Sequence, residues 1–165
     1  MSLSSLRLRL LAAGTAAVLV SLAVAALGLG LLFERHVRRL AIAELSFDLD
    51  QLAAALARGP GGTVVLRRTL TDPRFDQPLS GRYWQVETEG AVHRSRSLWD
   101  GQLALPPPPP DGSPREIEVV GPHSTTLLVQ QRALRLGTRT ARAAVAIDLS
   151  ELRAASRFFM GDAVP

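Results

Sequence analysis

Uncharged residues run unbroken from Leu10 to Phe33. At about 1.5 Å per residue, such a helix covers the roughly 30 Å hydrocarbon core of a bilayer. A secretory signal has a shorter apolar stretch and a small-residue cleavage site, whereas this run ends in Leu-Leu-Phe-Glu-Arg-His, so a retained anchor is expected. Apolar positions then recur at spacings of three and four, at Val37, Ala41, Leu45, Leu49, Leu52 and Leu56, with Arg, Glu, Asp and Gln between them. That period predicts that the helix continues beyond the span with one apolar face. It is expected to end at Arg58-Gly59-Pro60-Gly61-Gly62, where glycine supplies the left-handed cap and proline forbids another turn.

Past Gly62 the period falls to two, or to short β-branched runs bounded by turn residues. This predicts strands over 63–70, 82–87, 91–95, 116–120, 126–132 and 141–147. Glu89-Gly90 is expected to turn the second strand into the third, and Gly121-Pro122-His123-Ser124 the fourth into the fifth. Pro106 to Pro110, followed by Asp111-Gly112-Ser113-Pro114, reads as an exposed polyproline spacer. Asp148 and Glu151 form a capping pair ahead of Leu149, Leu152, Ala155, Phe158 and Phe159, which predicts a short closing helix over 149–160. A long helix, five or six antiparallel strands and a short helix make an α+β domain.

Composition narrows the function classes. All 19 basic residues are arginine; 17 of them follow Phe33, against all 15 acids, so the part after the span has a net charge of only +2. Arginine is scattered through helix, strand and loop patterns rather than concentrated on one element, which argues against nucleic acid as a partner. The absence of cysteine excludes disulfides, thiolate metal sites and a lipoprotein anchor. Charges flanking the span are nearly balanced, Arg7 and Arg9 before it and Arg35, Arg38 and Arg39 against Glu34 after it, so they leave its orientation open.

Few residues carry recognisable chemistry. His36, His93 and His123 lie far apart with no metal-ligand spacing, and no metal or other cofactor is expected. Serines at 80, 95 and 97 lack a nucleophile elbow and a base, and Gly59 to Gly62 lacks the lysine and hydroxyl of a phosphate loop, so no catalytic residue is assigned. Two stretches are richer: Asp72-Pro73-Arg74-Phe75-Asp76-Gln77-Pro78-Leu79-Ser80-Gly81-Arg82-Tyr83-Trp84-Gln85-Val86, and Arg94-Ser95-Arg96-Ser97-Leu98-Trp99-Asp100. Two rigid loops carrying arginine and aromatic residues beside strand ends suit a ligand pocket, with Arg74, Tyr83, Trp84, Arg94, Arg96 and Trp99 as its candidates. The structural alternative puts Trp84 and Trp99 in the core and pairs Arg74, Arg94 and Arg96 with Asp72, Asp76 and Asp100.

Those same two stretches, together with Ser5-Leu6-Arg7-Leu8-Arg9-Leu10, Phe33-Glu34-Arg35-His36-Val37 and Val145-Ala146-Ile147-Asp148, resemble the N-terminal sensor region of proteobacterial two-component sensor histidine kinases. The resemblance implies a cytoplasmic stub over 1–9, an inner-membrane helix over 10–33 and a periplasmic domain over 34–160 of PAS-like (PDC-type) fold. It also implies a homodimer packed through the transmembrane helix and its continuation, for which Ala13, Ala17, Ser21 and Ala25 offer a small-residue stripe. A response regulator would be reached only through kinase domains, and neither a second span nor a phosphoacceptor or ATP-binding motif occurs in these residues, so the resemblance implies an input module cut before them. The acids that would match the membrane-facing acidic surface of magnesium and cationic-peptide sensors, Glu44, Asp48 and Asp50, are few and sit among arginines, so that ligand does not carry over. The alternative reading is a single-span envelope protein whose domain docks a partner through the Pro106 to Pro110 loop.

Overall fold

The computed structural model describes residues 3–59, 63–68, 70–88, 90–137 and 139–150. They form two compact units, divided after Arg38. One helix, α1 (Leu3–Ala55), supplies all of the described part of the first unit and opens the second. It is long and apolar enough to cross a membrane. Over the first unit its large apolar side chains are 59% to 70% exposed, from Leu8 to Leu32. A helix that is apolar all round and unburied by its own chain is suited to lipid.

In the second unit α1 presents Ala41, Leu45, Leu49 and Leu52, all buried, to a five-stranded antiparallel sheet. The helix ends three residues short of Arg58, where it is expected to stop. Leu56–Arg58 instead forms β1, paired with β2 (Val64–Leu66) in a separate two-stranded sheet with Leu56 opposite Leu66. The β-branched pair Val64-Val65 makes this pairing preferable to a last helical turn, and buries Leu56 and Val64 in the helix-side core. The strand expected over 63–70 is therefore shorter and lies outside the main sheet.

The main sheet holds β3 (Arg82–Thr88), β4 (Ala91–Arg94), β5 (Arg115–Val120), β6 (Thr126–Leu136) and β7 (Arg139–Asp148), in the order β4-β3-β7-β6-β5. Its first and last strands, β3 and β7, are neighbours near its centre; α1 packed on this antiparallel sheet gives the α+β class expected. Thr88 pairs with Ala91, and Val120 with Thr126 across the Pro122 turn, as the expected hairpins predict. The β6/β7 hairpin is longer than its apolar pattern suggested: Leu136 pairs with Arg139, beyond the arginines at 132 and 135 that break the alternation. Backbone pairing tolerates those arginines: Arg132 is half-buried with its Nη2 paired to Asp50 of α1 at 3.0 Å, and Arg135 is exposed.

Alternation along each strand sorts side chains to two faces. On the α1 side lie Val86, Leu128, Ala143, Val145 and Ile147, with Phe75 and Leu70 from the connecting loop. On the other side lie Tyr83, Leu127, Val129, Ala144 and Ala146, covered by Leu98 and Leu103 from the segment between β4 and β5. The Asp148 carboxylate accepts the Ser150 N–H at 2.7 Å, a cap at the start of the expected closing helix. The rest of that helix, from residue 151, lies outside the described residues.

Candidate functional site

Between α1 and the start of β3 sits a charged node. Gly81, at φ +83°, takes a left-handed turn that few other residues would adopt. The chain thereby delivers Arg82 to the α1 side of the sheet, where it is 2% exposed. Its Nη1 donates to Asp48 Oδ2 at 2.8 Å and its Nη2 pairs with Glu44 Oε1. Glu44 and Asp48 are one helical turn apart, so a single guanidinium spans both. Arg82 Nε faces Asp72 Oδ2 at 3.6 Å. Asp72 caps the 3-10 turn Pro73–Asp76 by accepting the Arg74 N–H, and also takes the Arg74 side chain at 2.8 Å. Arg74 in turn approaches Glu44 at 3.7 Å. Helix, loop and strand are thus joined by two guanidiniums among three carboxylates.

The electrostatics are unequal. Burial pushes the Asp48 carboxyl above its ordinary value, and the charges of Glu44 and Asp72 add to the rise, while Arg82 pulls against it. Burial also raises Asp72, but the Arg74 hydrogen bonds and the charges of Arg74 and Arg82 outweigh it and hold Asp72 below the ordinary range. Sequence reasoning passed over Arg82 as a strand opener. The available signal was Asp48, an acid set among Leu45, Leu49 and Leu52 on the buried stripe, where a carboxylate needs a cationic partner.

The two motif-rich stretches do meet. Leu79 N–H donates to Ser97 O at 2.9 Å, Ser97 Oγ to Arg82 O at 2.5 Å, and Ser95 N–H to Trp84 O at 3.0 Å. The six candidate residues nevertheless do not line one pocket. Tyr83 and Trp84 are consecutive on β3 and point to opposite faces, Tyr83 into the core beneath residue 103 and Trp84 against the α1 side. Arg74 belongs to the charged node. Arg94 donates to Asp100 O at 3.3 Å and Gly101 O at 2.9 Å, main-chain atoms rather than the Asp100 carboxylate. Arg96 is exposed. Trp99 is 64% exposed at φ +56°, so its alternative reading as a core residue is corrected: the tight turn after the 3-10 helix Arg96–Leu98 swings its side chain outward. An open cleft of about 610 Å³, lined among others by Pro108, Asp111, Arg135 and Thr140, contains none of the six.

Among the described residues no cluster of His, Asp or Glu has the makings of a metal site. No family model matches the chain, and no solved structure matches it. The chain spans about a fifth of the length of the curated relative it matches, 22%. That relative, to which it is 41% identical over 100 residues, or 59% of this chain, is the sensor protein kinase CarS of Pseudomonas aeruginosa.

Proposed function

We propose that the chain is the input module of a two-component sensor kinase: a single span with its N-terminus cytoplasmic, anchored in the inner membrane, carrying a periplasmic PAS-like domain. The observation that carries this reading is the 41% identity over 100 residues to a sensor protein kinase. The continuous α1 supports it, since one helix holds both the apolar run and the stripe that packs on the sheet. A stimulus that favours one packing of α1 on the sheet shifts a two-state equilibrium by its difference in affinity for the two. The Arg82 node is the polar tie that such a shift would strain. The working unit in this reading is a homodimer packed along α1, signalling to a response regulator through kinase domains.

Two measurements test it. A reporter active only outside the cytoplasm, fused after Arg58, should be active; activity solely from a cytoplasmic reporter overturns the topology. A chimera joining this chain to the remainder of the Pseudomonas aeruginosa relative, the part it does not match, should phosphorylate that kinase's own regulator, with output altered by Arg82→Met. A chimera that is produced and membrane-bound but indifferent to every change in the domain overturns the sensing role.

A further inference from the structure

The segment between β4 and β5 is held against the sheet in an unusual way. Leu103 is buried between exposed Gln102 and Ala104, and half-buried Leu105 precedes exposed Pro106, the alternation of an extended chain lying on a surface. Side chains from three strands grip its main chain. Gln85 of β3 donates Nε2–H to Leu103 O at 3.0 Å and accepts Leu103 N–H on Oε1 at 2.8 Å. Arg142 of β7 donates to Leu105 O at 2.8 Å, and Gln131 of β6 donates Nε2–H to Pro106 O at 3.0 Å. Gln85 and Gln131 stand in one row across the sheet, each opposite Ala144, whose methyl leaves room for the chain above.

The two glutamine clamps differ at their acceptor end. Gln85 uses both ends of its amide on residue 103, and its Nε2 also donates to Glu87 Oε1 at 2.7 Å. Gln131, fully buried, uses only its donor, and its Oε1 has no hydrogen-bond partner. The reason is chemical: residue 106 is proline and has no N–H to give. A buried acceptor left unpaired is costly, and the chain's own strap cannot relieve it.

We propose that this face of the sheet is a binding site for an extended peptide, with the chain's own 103–106 segment as its resident, weaker occupant. The grip is on main-chain atoms, so it admits many sequences. The preferred ligand has apolar residues at alternate positions and, where the strap has Pro106, a residue with an amide N–H. Such a ligand makes every contact the strap makes and satisfies Gln131 Oε1 as well. As a binding site the proposal stands without the sensing role; as a stimulus site it rests on that role.

The test uses the full chain in detergent and two fluorescent peptides that copy residues 102–107, one with both prolines and one with alanine in their place. The strap is released by Leu103→Ser with Leu105→Ser. The released chain should bind the alanine peptide saturably, at least tenfold tighter than the unaltered chain does, and roughly fivefold tighter than it binds the proline peptide. Gln131→Met should abolish the preference between peptides. Absence of saturable binding by the folded, released chain, or equal binding of both peptides, overturns the proposal. Should the double variant fail to fold, Pro106→Ala in the unaltered strap decides: its new amide should exchange with solvent about a hundredfold slower than exposed amides of the same segment, and exchange at the exposed rate refutes the vacant-acceptor argument. These readouts are of binding and exchange, so a silent chimera in a signalling assay leaves them intact.

Discussion

Arg82 on β3 donates to Asp48 on α1 at 2.8 Å, with side chains only 2% and 9% exposed. A pair this buried gains little net stability over a well-packed apolar pair, yet removing one partner strands the other charge away from water. Its chief effect is to specify one seating of α1 on the sheet. The leucine stripe alone would tolerate small slips, because burial of apolar area is not directional.

Arg82→Met should destabilise the domain by about 3 to 5 kcal/mol because it leaves the Asp48 carboxylate buried without its counter-charge, and by less when Asp48→Asn removes that charge as well. Chemical denaturation of each single variant and of the double variant measures the coupling. Additive losses would show that the two residues do not act as a pair.

The node should also leave a signature in the pH dependence of stability. Asp48 has its folded value raised above the ordinary 3.8, so its contribution falls as pH rises from about that value through the folded one. Asp72 has its folded value lowered, so its contribution is full above 3.8 and is lost as pH falls through the lower folded value. Unfolding curves of the unaltered chain, compared with Asp48→Asn, should lose relative stability with rising pH above 3.8. Compared with Asp72→Asn they should gain it with rising pH below 3.8. The same slope in both comparisons would contradict the opposed environments.

Gly121 opens the tight connection from β5 to β6, and a Cβ there would lie 2.5 Å from Leu127 Cγ and Cδ1, atoms of a fully buried side chain. Gly121→Ala should cost about 1 to 3 kcal/mol, as overpacking does. Leu127→Ala made in the same chain should recover part of that cost relative to the sum of the singles. Thermal melting of the four proteins checks it.

Trp84 and Trp99 should respond oppositely. Trp84→Ala removes packing against the α1-side core and should destabilise by roughly 2 to 4 kcal/mol. Trp99 is mostly exposed at a positive φ, so Trp99→Gly should raise stability by about 1 kcal/mol through relief of the left-handed backbone. Differential scanning calorimetry of both variants measures this. A stabilised Trp99→Gly chimera that no longer signals would mark the indole as a contact for a partner or ligand.

Much of the architecture is local and could be read directly. The uncharged run from Leu10 to Phe33, the stripe through Ala41, Leu45, Leu49 and Leu52, and the turns at Gly90 and Pro122 follow from periodicity and from residues that permit few backbone conformations. The end of α1 was misplaced because pairing with Val64 and Val65, partners remote along the chain, competes with the helix for residues 56 to 58. The alternative that placed Trp99 in the core fails because its turn points it outward.

The residues of the two sites were all visible in the chain, while their grouping was not. Glu44, Asp48, Asp72 and Arg82 come from three elements, and the pairing of β3 with β7 at the sheet centre decides where Arg82 lies. Likewise Gln85, Gln131 and Arg142 meet residues 103 to 106 only after three strands are set in register. By itself the sequence determined most of the helix, strand and turn segments among the described residues, 56 to 58 excepted, because those preferences act between near neighbours. The tertiary structure alone decided which buried charges and amides face one another, because strand order and register are set by the whole core.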